Sequence, residues 1–105
     1  MSDEAVRVEL TDGLQGAKLS GELDIAVYEK LTAELAPLFE ATGDLILDLS
    51  DVAFVDSSTI RLFVRLQQSR KDTGSVVLLR PQPHVARVLA VSGVGELGMR
   101  VQDQT

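Results

Sequence analysis

The chain has no cysteine and no tryptophan, a single histidine, three prolines and an aromatic fraction of 4% over 105 residues. Without cysteine it can form no disulfide and has no thiolate nucleophile or metal ligand. The lone His84 follows Pro83 with no acidic partner nearby, so there is no zinc ligand set and a surface or capping role is expected for it. No phosphate-cradling glycine loop ending in Gly-Lys-Ser/Thr occurs. The glycines of Gly93-Val94-Gly95-Glu96-Leu97-Gly98 follow a predicted helix, where a dinucleotide fingerprint needs a strand. Glu22 and Asp24 form a carboxylate pair, but no second group is placed to assist acid–base work, so they read as turn and capping residues. Catalysis lacks a candidate: the expectation is a non-enzyme with no cofactor and no metal.

Long apolar runs are also missing. None approaches the ~20 residues that span a bilayer. The opening Met1-Ser2-Asp3-Glu4 is acidic, unlike the basic start of a signal peptide. A cytoplasmic protein that engages no membrane is the expectation.

A hydrophobic fraction of 45% and a charged fraction of 25% are ordinary for one globular domain, and the core must be built from Leu, Val, Ile and Ala. The net charge of −6 argues against nucleic acid as a partner. That charge is divided unevenly. Residues 1–56 carry 13 acidic and 3 basic side chains, a net −10, and residues 57–105 carry 3 acidic and 7 basic, a net +4. Two differently charged solvated faces would explain this, and so would a polarised surface that orients a charged protein partner.

Alternation of Val6, Val8 and Leu10 with Arg7 and Glu9 predicts a strand. Turn chemistry at Thr11-Asp12-Gly13 and a second strand through Ala17 and Leu19 make residues 5–21 a hairpin. Asp24 is placed as a helix N-cap ahead of Val27, Tyr28, Leu31, Leu35 and Leu38 at helical spacing. Pro37 should break that helix near Ala36, and Thr42-Gly43 should close the element. The run Leu45-Ile46-Leu47-Asp48-Leu49 predicts a central strand covered on both faces, with residues 51–56 as a connection. A helix from about Ser58 to Asp72 with Gly74 as its stop, a strand over residues 75–79, and a helix opened by Pro83 and closed by Gly93 follow. An edge strand at residues 99–101 and a mobile tail over 102–105 complete the order β-β-α-β-α-β-α-(β). This is an α/β domain with a mixed sheet of four to five strands and three to four helices.

One segment stands out. Asp56-Ser57-Ser58-Thr59 places three hydroxyls after an aspartate where a strand feeds a helix, and N-capping alone explains such residues. Residues three and four apart share a helix face. Ser58 then falls in line with Arg61, Arg65, Gln68 and Asp72, and Ser57 with Ile60, Val64 and Gln67. By this geometry Ser57 is the inward cap and Ser58 the exposed hydroxyl. A phosphate on Ser58 would sit at a helix N-terminus within reach of Arg61 and be repelled by Asp56.

These residues resemble those of the STAS domains, specifically bacterial anti-sigma factor antagonists. Leu19-Ser20-Gly21-Glu22-Leu23-Asp24 matches the family's block before its first helix. The stretch from Leu45 through Ser58 matches the central strand and phosphorylation loop. Pro83 through Gly93 matches the third helix and its exit. The resemblance implies a single STAS domain over 1–105. It implies an anti-sigma factor as partner, a Ser/Thr kinase of the histidine-kinase-type ATPase fold, which binds the unphosphorylated protein and so releases a sigma factor, as in stress responses. It implies phosphorylation at Ser58 that abolishes binding and a Ser/Thr phosphatase that reverses it. The expected partner-facing residues are Gly21, Glu22, Asp24, Asp56, Ser57, Ser58, Thr59, Arg61 and Arg65. Where the family carries Gly after the second serine, this chain has Thr59, a third hydroxyl on a branched side chain. The alternative is a STAS interaction or ligand-sensing module of another assembly, in which the serines only cap the helix.

Overall fold

The computed structural model describes residues 6–11, 15–70 and 72–103. Among these residues five strands and three α-helices follow one another in the expected order: β1 (Arg7–Leu10), β2 (Gly16–Leu23), α1 (Tyr28–Leu35), β3 (Leu45–Val55), α2 (Ser57–Ser69), β4 (Val76–Leu79), α3 (Pro83–Val91) and β5 (Arg100–Gln102). They form one mixed sheet in the order β1-β2-β3-β4-β5, with β1 antiparallel to β2 and every later pair parallel. The expected turn at Asp12-Gly13 lies outside the described residues. β5 runs one residue into the expected tail, since Gln102 pairs with Leu79 and its carbonyl accepts the Arg80 amide at 2.6 Å.

β3 departs most from the sequence pattern. Leu45, Leu47 and Leu49 are buried, level with Ala17, Val76 and Leu78 on the neighbouring strands, while Ile46 is 46% exposed. Only one face of this strand is covered, which corrects the expectation of burial on both. The strand also continues through the stretch expected as a connection, ending at Val55. Its register against β2 slips between Lys18 and Ser20 and again between Gly21 and Glu22. Each slip inserts a residue and breaks the period-2 alternation from which a strand is read.

β4 pairs with β3 only as far as Asp48, so β2 and β3 project beyond the rest of the sheet. The freed edge of β3 is covered by side chains from the start of α3. Gln82 Nε2 donates to the Ser50 carbonyl at 3.1 Å, and His84 Nε2 lies against the Ala53 carbonyl. His84 thus satisfies backbone, as a capping residue would.

α1 is entered through a 3-10 turn, Ile25–Val27, and left through a second one, Ala36–Phe39, in which Pro37 holds the first turn. α1 therefore ends at Leu35, where Pro37 can donate no amide hydrogen. α2 buries Ile60, Leu62, Phe63 and Leu66, and α3 buries Val85 and Leu89, all in one core cluster. α2 stops at Ser69, three residues short of the expected end. There Arg70 leaves the helical region, and Gly74 lies so close to the Gly43 backbone that a Cβ would come within 2.3 Å of it.

Candidate functional site

The C-terminal ends of β2 and β3 carry the two segments picked out in the sequence, Gly21–Asp24 and Asp56–Thr59. Backbone register makes them neighbours: Leu23 pairs with Val55, and the Asp56 amide donates to the Leu23 carbonyl at 3.2 Å. Gly21 sits at φ +101° beside the second register slip, a conformation costly for any residue with a Cβ. The ends of parallel strands, where backbone groups leave the ladder, are the usual place for sites in α/β folds.

Asp56 is the N-cap of α2 and the centre of this end of the molecule. Its Oδ1 accepts the amides of Ser58 at 3.0 Å and Thr59 at 3.2 Å, and the Ser58 hydroxyl at 2.6 Å. Its Oδ2 accepts the amide of Ile25, 31 residues away in sequence, at 3.0 Å. Burial works against the Asp56 charge. The Ser58 hydroxyl and the amides of Thr59, Ile25 and Ser58 outweigh it and hold the carboxyl below the usual carboxylate range.

Three sequence expectations are corrected by this geometry. Asp56, not Ser57, caps the helix, and Ser57 is exposed while Ser58 is half-buried. The helix-face argument took Ser58 as the helix start, but α2 begins at Ser57. Both serines belong to its first turn, where the cap decides which side chain turns inward. Thr59, expected to face the partner, is fully buried. Its hydroxyl donates to the Leu23 carbonyl at 2.7 Å, so it fastens the two segments together from beneath.

The remaining expected residues lie around this centre. Glu22 is exposed, and Asp24 caps the Ile25–Val27 turn, its Oδ1 accepting the Ala26 amide at 3.0 Å. Arg61 and Arg65 are exposed on α2, but they differ in what they touch. Arg65 Nη1 donates to the Tyr28 hydroxyl at 3.2 Å, and its guanidinium lies 5.7 Å from the centre of the Phe39 ring, a cation–π distance. Arg61 has no such hydrogen bond or ion pair among the described residues.

Sequence reasoning passed over Ile25. It is 69% exposed, although its amide is held by Asp56 and the neighbouring Val27 is buried. The available signal was its position off the apolar stripe of Val27, Leu31 and Leu35. Sequence reasoning also passed over Arg70, an arginine only 1% exposed at the opposite end of α2.

Residues 5–101 match the protein-family model described as "Mlab, STAS domain". The anti-sigma F factor antagonist of Lysinibacillus sphaericus is 33% identical over 81 residues, covering 74% of this chain and 69% of that protein. The anti-sigma-B factor antagonist of Staphylococcus epidermidis is 28% identical over 96 residues, covering 90% and 88%. Among solved structures, the unphosphorylated form of the anti-sigma factor antagonist SpoIIAA superposes with a TM-score of 0.70 at 25% identity, covering 92% of this chain and 87% of that one. A Thermotoga maritima structure, 21% identical with a TM-score of 0.74 and coverage of 98% and 90%, shares the fold.

Proposed function

Because this chain belongs to the STAS-domain family, we propose that it is an anti-sigma factor antagonist, bound to its partner when unmodified and switched off by phosphorylation of Ser58. The observation that carries the reading is the hydrogen bond from Ser58 Oγ to Asp56 Oδ1. It turns the hydroxyl hydrogen inward and leaves the oxygen lone pairs for an incoming phosphoryl group. The α2 amides behind it favour the negative charge that results. Arg61, one turn further along α2, is free to pair with a phosphate or with an acidic group of the partner. The likeness to SpoIIAA supports the same reading, since that protein has been solved in unphosphorylated and phosphorylated forms.

The partner is then an anti-sigma factor that is itself a Ser/Thr kinase, and a phosphatase restores the binding form. Glu22, Asp24, Ser57, Ser58 and Arg61 form the outer surface of the docking region. Gly21, Asp56 and Thr59 hold its backbone in shape.

The test is intact-mass measurement after incubation with ATP and each anti-sigma kinase of the source organism. One added phosphate is expected, lost in Ser58→Ala and kept in Ser57→Ala. A phosphate that disappears with Ser57→Ala instead would move the acceptor to the more exposed serine. Binding to an anti-sigma factor with no phosphate transferred would favour a docking module without the switch.

A further inference from the structure

Among the described residues β1 is an edge of the sheet, paired with β2 on one side only. In an antiparallel pair, residues that bond across the ladder alternate with residues whose amide and carbonyl point the other way. The Thr11 amide donates to the Gly16 carbonyl at 2.9 Å, and in the same register Glu9 lies opposite Lys18 and Arg7 opposite Ser20. Arg7 and Glu9 therefore bond to β2, and Val8 and Leu10 turn their backbone groups outward. The side chains alternate as well. Val8 packs against the core cluster, so Arg7 and Glu9 stand exposed on the uncovered face. Neither makes an ion pair among the described residues, since Lys18, opposite Glu9, is taken by Asp51 at 3.1 Å.

We propose that β1 pairs with itself: two copies of this chain join through antiparallel β1 strands centred on Val8, continuing one sheet across both. Charge selects the second copy as occupant and sets the register. A two-fold axis at Val8 lets Val8 exchange amide and carbonyl bonds with its own copy. It also places Arg7 directly opposite Glu9 of the second copy, and Glu9 opposite Arg7, as two ion pairs. Shifting the pairing by two residues either way keeps the bonding pattern but sets Glu9 against Glu9 or Arg7 against Arg7. Leu10, 39% exposed, then lies opposite Val6 of the second copy on the core side. The other edge lacks this complementarity. The Gln102 carbonyl accepts the Arg80 amide, so Val101 is the residue of β5 that faces outward. An axis there would set Arg100 against neutral Gln102, and Arg100 is already held by Asp44 at 3.2 Å.

Such a pairing uses the same patch on both copies, so it closes at two. β1 is antiparallel to β2, and the two β1 strands are antiparallel to each other. The β2 strands of the two copies then run in opposite directions. The docking regions proposed at the C-terminal ends of β2 and β3 lie at opposite ends of the joined sheet, and both stay free. One dimer presents two such regions to two separate partner molecules. The self-pairing does not depend on the reading of Ser58. A strand of four residues buries little surface, so the dimer is weak and sensitive to salt.

The experiment is analytical ultracentrifugation of the full chain at concentrations up to about 1 mM, where even millimolar association registers. A monomer–dimer equilibrium is expected, weakening as salt rises. Arg7→Glu or Glu9→Arg alone sets like charges across the axis and should weaken the dimer at least tenfold. The double variant exchanges the signs of both pairs and should return to the affinity of the unaltered chain. Mixed in equal amounts, the two single variants should form a heterodimer tighter than either homodimer, a rescue that a misfolded variant could not give. Val8→Pro removes the outward amide and spares the bonds to β2, so it should abolish the dimer while circular dichroism stays unchanged. A chain that remains monomeric throughout overturns the self-pairing. So does a dimer indifferent to both single swaps, or one that the double variant fails to restore.

Discussion

Ser58 and Asp56 are joined side chain to side chain at 2.6 Å, at the point where β3 turns into α2. The bond makes one carboxylate responsible for a helix start, a hydroxyl rotamer and a contact to a distant turn. It also gives the site a pH dependence. The Asp56 carboxyl is held below its ordinary range in the folded protein, whereas in the unfolded chain it titrates near ~3.9. Its contribution to stability is present above that unfolded value and is lost as pH falls through the lower folded one. Asp56→Ala should cost about 1 kcal/mol at neutral pH, typical of a lost N-cap, and Asp56→Asn less. The gap between wild type and Asp56→Ala should close on acidification below about pH 4. Urea unfolding at pH 7 and pH 3 measures both; a gap of equal size at the two pH values would contradict the assignment.

Thr59 sits where relatives are expected to carry glycine, and its hydroxyl has been absorbed into the structure. The Leu23 carbonyl accepts from both Thr59 Oγ1 and the Asp56 amide. Thr59→Val keeps the shape and removes one of the two donors, which should cost about 1–2 kcal/mol. Thr59→Gly loses the same bond together with the buried methyl group and gives up roughly 0.3 kcal/mol more in helix propensity, so it should be the less stable variant. Thermal unfolding of the pair orders them, and a Gly variant as stable as wild type would mean that the buried hydrogen bond contributes nothing net.

The fold was legible in the sequence because most of its signals are local. Alternation in β1, the stripe of α1, the break at Pro37 and the glycine after α3 each decide their element within one or two turns of chain. Asp24 was placed correctly as a cap for the same reason. What failed required knowledge of neighbours. The apolar run of β3 suggested two covered faces, yet only the face of Leu45, Leu47 and Leu49 is covered. The β3 extension through residues 51–55 was hidden by two register slips that depend on pairing with β2. At the site, the type and order of Asp56, Ser57 and Ser58 could be read. Which serine turns inward could not, because that depends on Asp56 accepting bonds from α2 and Ile25 together.

The one-sided burial of β3 predicts opposite tolerance at adjacent positions. Ile46 and Leu47 are neighbours in a single strand, the first 46% exposed and the second fully buried. Leu47→Ala should cost about 2–5 kcal/mol, the usual range for emptying a core leucine site. Ile46→Thr, which keeps a β-branched side chain on the open face, should stay within about 1 kcal/mol of wild type. Equilibrium unfolding of both variants settles the matter, and equal losses would require a covering layer over the Ile46 face.

Arg70 is a buried cation with no carboxylate beside it among the described residues. Its Nε donates to the Leu66 carbonyl at 3.2 Å and its Nη1 to the Ala41 carbonyl at 3.0 Å, while Nη2 lies against the Leu38 carbonyl. These oxygens belong to the end of α2, the end of the Ala36–Phe39 turn and the loop that follows, so one planar fork closes three chain segments. Burial lowers the Arg70 pKa, but a guanidinium starts so high that it stays protonated throughout the accessible range. Arg70→Met fills the space and leaves the carbonyls unsatisfied, and should cost about 2–4 kcal/mol. Arg70→Lys should recover only part of this, because an ammonium on a single stem cannot reach three carbonyls spread around a fork. Unlike the Asp56 effect, which fades on acidification, the methionine loss should be the same at pH 7 and pH 3. A methionine variant within 0.5 kcal/mol of wild type by urea unfolding would mean that solvent or a shifted loop replaces the arginine without cost.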